Sequence, residues 1–119
     1  MTPSELNQVK QYLQGLQTSI VEGIGRFESK PILNDSWERA EGGGGCSRVL
    51  EEGSLLERGG VNFSHVMGDK LPGSATASRQ GLAGASFEAM GVSLVFHPRN
   101  PYVPTVHMNV RLFAATTVE

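Results

Sequence analysis

Apolar residues recur at three- and four-residue steps along the first quarter of the chain, which predicts one amphipathic helix. The apolar stripe consists of Leu6, Val9, Leu13, Leu16, Ile20, Ile24 and Phe27. Thr2 and Glu5 form a Thr-x-x-Glu capping box before the stripe, and Pro31 stops any continuation. We therefore expect a helix within residues 1–30, with a packing role rather than a chemical one.

After this segment the period of the pattern changes to two, which is the spacing of strands. Alternating segments occur at Asn34–Arg39, Cys46–Leu50, Val61–Val66, Phe87–Phe96 and Thr105–Phe113. The 15 glycines are too many for a helical bundle and are typical of tight turns between strands. The pattern predicts an α+β fold in which residues 34–119 are mainly antiparallel strands. An irregular connection is expected over residues 68–84.

The last alternating segment separates a polar row from an apolar row. Its polar side consists of Thr105, His107, Asn109, Arg111 and Phe113, and its apolar side of Val106, Met108, Val110 and Leu112. If this strand pairs antiparallel with the preceding one across the turn at 98–104, Ser93 and His97 lie on the polar side. The polar row contains neither Lys nor Glu, and Arg111 has no acidic residue close in sequence.

Three interpretations of this polar row remain open. The first is a solvated outer face, which antiparallel sheets commonly have. The second is a ligand-binding face, because amide and guanidinium donors suit an anionic ligand and solvated faces usually carry Lys and Glu. The third makes His97 and His107 metal ligands, a weak signal because a closed metal site needs more ligands than two.

Composition excludes several classes of function. A chain of 119 residues is long enough for one domain with a single core. Its net charge of −2 gives no reason to expect a nucleic-acid partner, and no apolar run reaches the length of a membrane span. The single cysteine, Cys46, cannot form an intramolecular disulfide, so a cytoplasmic setting fits best.

Other residues with chemical potential predict structure instead. The run Gly42–Gly45 lacks the following Lys-Ser/Thr pair of a phosphate loop, so we expect a hairpin turn or a close approach of backbone. The approach of a flat ligand to these glycines stays open. His65 shares a side with Val61 and Phe63, which predicts a partly buried, hydrogen-bonded histidine.

Three segments together resemble the oxygen-dependent coproporphyrinogen III oxidases. They are WERAEGGGGCSRVL (Trp37–Leu50), GVNFSHV (Gly60–Val66) and SFEAMGVSLVFHPRNPYVPTVHMNVRLF (Ser86–Phe113). The resemblance is collinear over nearly the whole chain, and HPRNPYVPTVHMNVR is highly specific. It implies oxidative decarboxylation of two propionates of coproporphyrinogen III to vinyl groups with O2, giving protoporphyrinogen IX in haem biosynthesis. It also implies a broad antiparallel sheet flanked by helices, a homodimer at full length and no organic cofactor.

The resemblance also assigns roles to individual residues. It implies substrate binding by Ser93, Asn109, Val110 and Arg111. It implies that His97 and His107 bind a divalent metal such as manganese and that His107 donates a proton. Arg39 and Arg48 are further candidates for propionate contacts, with ordinary surface arginines as the alternative.

The chain is much shorter than the enzymes it resembles. A GGGxDLTP-type segment with the proposed catalytic base, the later metal-site histidines and a C-terminal glycine-arginine segment are absent. We therefore expect residues 1–119 to be the N-terminal part of a single coproporphyrinogen oxidase domain whose activity requires the missing C-terminal part. The alternatives are a non-catalytic tetrapyrrole-binding or interaction module and a metal-binding protein.

Overall fold

A computed structural model describes residues 1–70 and 85–116. Its elements are α1 (Pro3–Gly25), β1 (Leu33–Glu38), β2 (Gly43–Glu51), β3 (Leu56–Gly68), β4 (Ser86–Pro98) and β5 (Val106–Thr116). The strands form one antiparallel sheet in the order β1-β2-β3-β4-β5. The predicted α+β fold is confirmed, while the irregular connection expected over 68–84 lies outside the described residues from residue 71 onward.

The helix α1 begins at the predicted capping box. The hydroxyl of Thr2 accepts a hydrogen bond from the Glu5 amide at 3.1 Å, and the Glu5 carboxylate accepts one from the Thr2 amide at 2.9 Å. The helix ends at Gly25, so Phe27 lies beyond it. Phe27 is 71% exposed, and its inclusion in the apolar stripe was wrong because the helical period stops before it.

The apolar core lies between α1 and the central strands. Its buried side chains are Leu13, Val21, Val61, Phe63, Met90, Val92 and Leu94. Full burial of such a side chain stabilises a fold by about 1.5–3 kcal/mol. Because α1 packs on β3 and β4, it covers one face of the sheet, here called the helix face. The opposite face, here called the open face, is covered by no element of the described ranges. No helix in those ranges has the length and apolarity that crossing a membrane requires.

One buried polar contact joins α1 to the sheet. The side chain of Gln17, which is 7% exposed, donates through Nε2 to the carbonyl of Cys46 at 2.8 Å and to that of Val61 at 3.0 Å. The acceptors belong to neighbouring strands, β2 and β3. A buried amide group is stable only with such partners, so this contact fixes where α1 lies on the sheet.

The segment after α1 is held by Glu28. Its carboxylate accepts hydrogen bonds from the Ser54 amide (2.7 Å), the Ser54 hydroxyl (3.0 Å), the Leu55 amide (2.9 Å) and the Leu56 amide (2.6 Å). Burial disfavours the charged carboxylate, but these hydrogen bonds outweigh it, and the pKa of Glu28 is lowered. The contact ties the start of β1 to the β2–β3 turn.

The β1–β2 hairpin explains the glycine run. Gly42 and Gly43 have φ angles of +121° and +87°, in the left-handed region that favours glycine. A Cβ atom at Gly45 would collide with the indole ring of Trp37. The run therefore supplies a turn and a close approach, as predicted, and it continues into strand β2 rather than into a helix.

We predict that Gln17→Leu lowers the free energy of unfolding by about 1–3 kcal/mol, because the variant loses both donors to the sheet. Urea denaturation followed by circular dichroism measures this change. Gln11→Leu is the matched control, since Gln11 is exposed on the same helix. Equal stability of the Gln17 variant and the control would contradict the proposed contact.

We predict a pH-dependent loss for Glu28→Gln. At neutral pH the variant should be less stable by about 1–2 kcal/mol, because an amide cannot accept all of these hydrogen bonds. The lowered pKa means that the carboxylate stabilises the fold above its unfolded pKa and loses this effect as pH falls through the folded value. Urea midpoints of wild type and variant should therefore converge towards acidic pH. A difference that stays constant with pH, or an equal effect of Glu22→Gln at the exposed Glu22, would refute the prediction.

Candidate functional site

The open face carries the polar row predicted from alternation. The register pairs Ser93 of β4 with Asn109 of β5, and residues that face each other in a sheet share a side. His107 and Arg111 lie one same-face position to either side of Asn109. The prediction that these four residues share a face is confirmed, while their roles in binding and catalysis remain predictions.

The polar row of β4 and β5 continues across the other three strands. Ser93 pairs with Asn62, Asn62 with Ser47, and Ser47 with Asp35. The five residues Asp35, Ser47, Asn62, Ser93 and Asn109, here called the cross-strand row, lie at successive strand spacings of roughly 4.8 Å. Sequence reasoning missed Ser47 and Asn62, although Asn62 alternates with the apolar Val61 and Phe63. That signal becomes specific only once the register across the strands is known.

A cavity of about 300 Å³ lies beside the cross-strand row. Its lining includes Ser47, Val49, Gly60, Asn62, Ser93, Val95 and His107. At Gly60 an added Cβ atom would come no closer than 3.8 Å to another atom, that of the Arg48 carbonyl oxygen, so the space above this glycine is open. The cavity combines apolar walls with polar donors and has the lower size of a ligand pocket.

Aromatic rings border the open face. Phe87 of β4 and Phe113 of β5 stack with their ring centroids 5.8 Å apart and an interplanar angle of 15°. At the opposite side of the sheet, the ring of Trp37 lies over Gly45. These rings supply apolar surface on which a flat or flexible ring system packs.

The charges of the open face favour an anionic ligand. The ion pairs between described residues are Arg39–Glu41, Arg58–Glu51, His65–Glu88 and Arg99–Glu52, so none of them engages Arg111. The cavity lining contains no acidic residue. A guanidinium without an acidic partner in the described ranges, next to amide and hydroxyl groups, binds carboxylates through charge-assisted hydrogen bonds.

The two histidines of the open face do not by themselves fit a closed metal site. His97 shares this face with His107, but its Nδ1 faces the hydroxyl of Thr105 at 3.5 Å, and its register partner on β3 is Arg58. Within residues 1–70 and 85–116, no group of three or more His, Cys, Asp or Glu is arranged to hold a metal. A four-coordinate site needs two more ligands, and a neighbouring guanidinium disfavours a cation. The metal role of His97 and His107 therefore stays a prediction.

Three candidate residues lie away from this site. Val110 alternates with Asn109 and Arg111, so its side chain is on the helix face and only its main chain is near the site. Arg48 is also on the helix face, where its guanidinium donates to the Ile32 carbonyl at 3.1 Å. Its proposed contact with a propionate on the open face is therefore wrong. Arg39 is at the β1–β2 hairpin, 3.8 Å from the carboxylate of Glu41.

His65 is a structural residue, as predicted. It lies on the helix face with 14% of its side chain exposed, and its Nε2 contacts the Glu88 carboxylate at 2.5 Å. A wider groove of about 650 Å³ lies beside it, between α1 and the β1–β2 hairpin, and Lys10, Glu38 and Arg39 contribute to its lining. Because this groove carries charges of both signs, it lacks the anion preference of the open face.

The comparison with known protein families agrees with this geometry. The family model described as coproporphyrinogen III oxidase matches residues 8–119. The match includes all five strands and therefore the whole cross-strand row. The chain belongs to the coproporphyrinogen III oxidase family.

Proposed function

We propose that this chain is the N-terminal part of an oxygen-dependent coproporphyrinogen III oxidase and supplies one wall of its substrate site. The observation that carries the proposal is the convergence of Ser93, His107, Asn109 and Arg111 on one uncovered face beside a cavity. The reaction converts two propionates of coproporphyrinogen III into vinyl groups and gives protoporphyrinogen IX. Each conversion releases CO2 and a proton and removes two electrons, which O2 accepts.

The chemistry of the substrate supports this assignment. Coproporphyrinogen III carries four carboxylates around an apolar, flexible macrocycle. Arg111 and Asn109 offer donors to the carboxylates, and Val95 offers apolar surface to the ring. A broad sheet face with donors spaced one strand apart suits a ligand whose charges are spread around its rim.

His107 is the residue that we propose to move a proton. It lies at the cavity, it is exposed, and no other described side chain forms a hydrogen bond with its ring. An imidazole both donates and accepts protons near neutral pH. We assign it proton donation during the steps that break bonds in the propionate side chain and at the pyrrole nitrogen. We assign no step to a divalent metal, because the imidazoles of the open face complete no ligand set within the described ranges.

The remaining chemistry requires residues from outside this wall. No acidic residue lines the cavity, so the described residues offer it no carboxylate base. We propose that turnover needs the C-terminal part of the family's domain and that the full-length protein is a homodimer. The single cysteine supports a reducing, cytoplasmic location.

A second candidate function is tetrapyrrole binding without turnover. The absence of an acid from the cavity lining favours this reading for the 119-residue chain on its own. Titration with coproporphyrin, followed by incubation with coproporphyrinogen III under oxygen, separates the two functions. Binding without product identifies a binding module, and formation of protoporphyrinogen identifies a catalyst.

We predict that Arg111→Ala weakens coproporphyrin binding by about 10- to 100-fold, because a charge-assisted hydrogen bond contributes about 1.5–3 kcal/mol. Quenching of porphyrin fluorescence on titration measures the affinity. Arg26→Ala, at the exposed end of α1, is the control and should bind like wild type. Unchanged affinity of the Arg111 variant would remove this residue from the site.

We predict that His107→Ala lowers the rate of protoporphyrinogen formation at least 100-fold, since general acid–base catalysis contributes about 10²–10⁴-fold. The affinity for coproporphyrin should change less than threefold. The rate is measured in a protein that includes residues 1–119 and turns the substrate over. His97→Ala serves as the comparison, because it removes an imidazole of the same face that does not line the cavity. A near-normal rate for His107→Ala would show that His107 is not the proton donor.

A further inference from the structure

The side chains of Ser47 and Asn62 form a hydrogen-bonded pair in the middle of the open face. The Ser47 hydroxyl donates to Oδ1 of Asn62 at 2.9 Å, and the contact is partly buried. Because the serine occupies the carbonyl oxygen of the amide, the Nδ2 group of Asn62 is left as the outward donor. No acceptor for Nδ2 occurs among the side-chain hydrogen bonds of residues 1–70 and 85–116. The pair therefore holds an oriented, unused donor at the cavity.

The cavity beside this pair has its floor at Gly60. The register places Val49 and Val95 on either side of Gly60, one same-face position from Ser47, Asn62 and Ser93. The missing side chain makes the depression, since a Cβ atom at this position would extend into open space. Two valines thus form apolar walls around a floor of bare backbone.

The donors around the depression all suit one carboxylate-bearing group. The Asn62 amide and the Ser93 hydroxyl lie in the cross-strand row, and His107 pairs with Val95 at the next position. A volume of about 300 Å³ accommodates one substituted ring rather than a whole macrocycle. The depression therefore matches a single pyrrole unit in shape and its propionate in charge.

We propose that the depression over Gly60 is a subsite for one propionate-bearing pyrrole of the substrate. Asn62 is a substrate-binding residue that donates from Nδ2 to the propionate carboxylate. Ser47 is a positioning residue that holds the amide in the donating orientation. The identity of the ligand rests on the proposed function, whereas the subsite itself rests on the pair and the glycine floor.

The direct test is Asn62→Asp, with coproporphyrin III as the fluorescent probe. The aspartate keeps an acceptor for the Ser47 hydroxyl but presents a negative charge to the propionate, so affinity should fall at least 10-fold. Asn34→Asp is the matched control. It adds the same charge on the helix face, where residue 34 already accepts from the Cys46 thiol, and affinity should change less than twofold.

Gly60→Val tests the shape of the subsite without adding charge. A β-branched residue suits a strand, and the space at this position is free, so the urea midpoint should not fall. The new side chain fills the depression, and affinity for coproporphyrin should fall at least 10-fold. Retained affinity in a folded Gly60→Val variant would overturn the subsite.

Ser47 is tested by a pair of variants. Ser47→Ala should weaken binding about threefold to tenfold, because the amide of Asn62 loses its fixed orientation. Ser47→Thr keeps the hydroxyl and should restore most of the affinity, which a purely structural role would not require. Equal affinity of Ser47→Ala and wild type would overturn the positioning role.

The outcomes separate this inference from the proposed function. If wild type does not bind coproporphyrin, both fail. If Arg111→Ala weakens binding but Asn62→Asp and Gly60→Val do not, the subsite fails and the proposed function stands. If all three weaken binding while Asn34→Asp does not, the subsite is established.

Discussion

The packing of α1 on β3 and β4 is the constraint on which the rest of this structure depends. It buries Val61 and Phe63 of β3 and Val92 and Leu94 of β4 against the helix. Because strand side chains alternate, every residue between these four must then face the other way. A register shift of one residue would bury the polar residues and expose the core, so the hydrophobic core also fixes the functional face.

Two polar contacts make this arrangement specific. Gln17 joins α1 to two strands at once, and Glu28 joins the segment after α1 to the β2–β3 turn. Both are long-range contacts within a sheet whose neighbouring strands are otherwise adjacent in sequence. They hold the helix on one side and thereby leave the open face uncovered within the described ranges. Binding donors on a rigid sheet are held more accurately than donors on loops.

The open face shows how a small change of pattern separates a ligand-binding surface from a solvated one. Its centre has serine and asparagine in place of lysine and glutamate, a glycine floor at Gly60, and Arg111 with no acidic partner among the described residues. Membership of the coproporphyrinogen III oxidase family gives this surface a chemical context. The helix-face groove near His65 has a larger volume but mixed charge. Chemistry rather than size therefore identifies the site.

The sequence by itself determined the helix, its capping box, the strand segments and the polar side of β5, because these depend on local periods and on near neighbours. It also determined the family, because the motif HPRNPYVPTVHMNVR is specific. Only the tertiary structure decided that Ser47 pairs with Asn62, that Arg48 faces away from the site, and that His65 meets Glu88. These facts depend on register between strands, which long-range packing sets and which no single segment encodes.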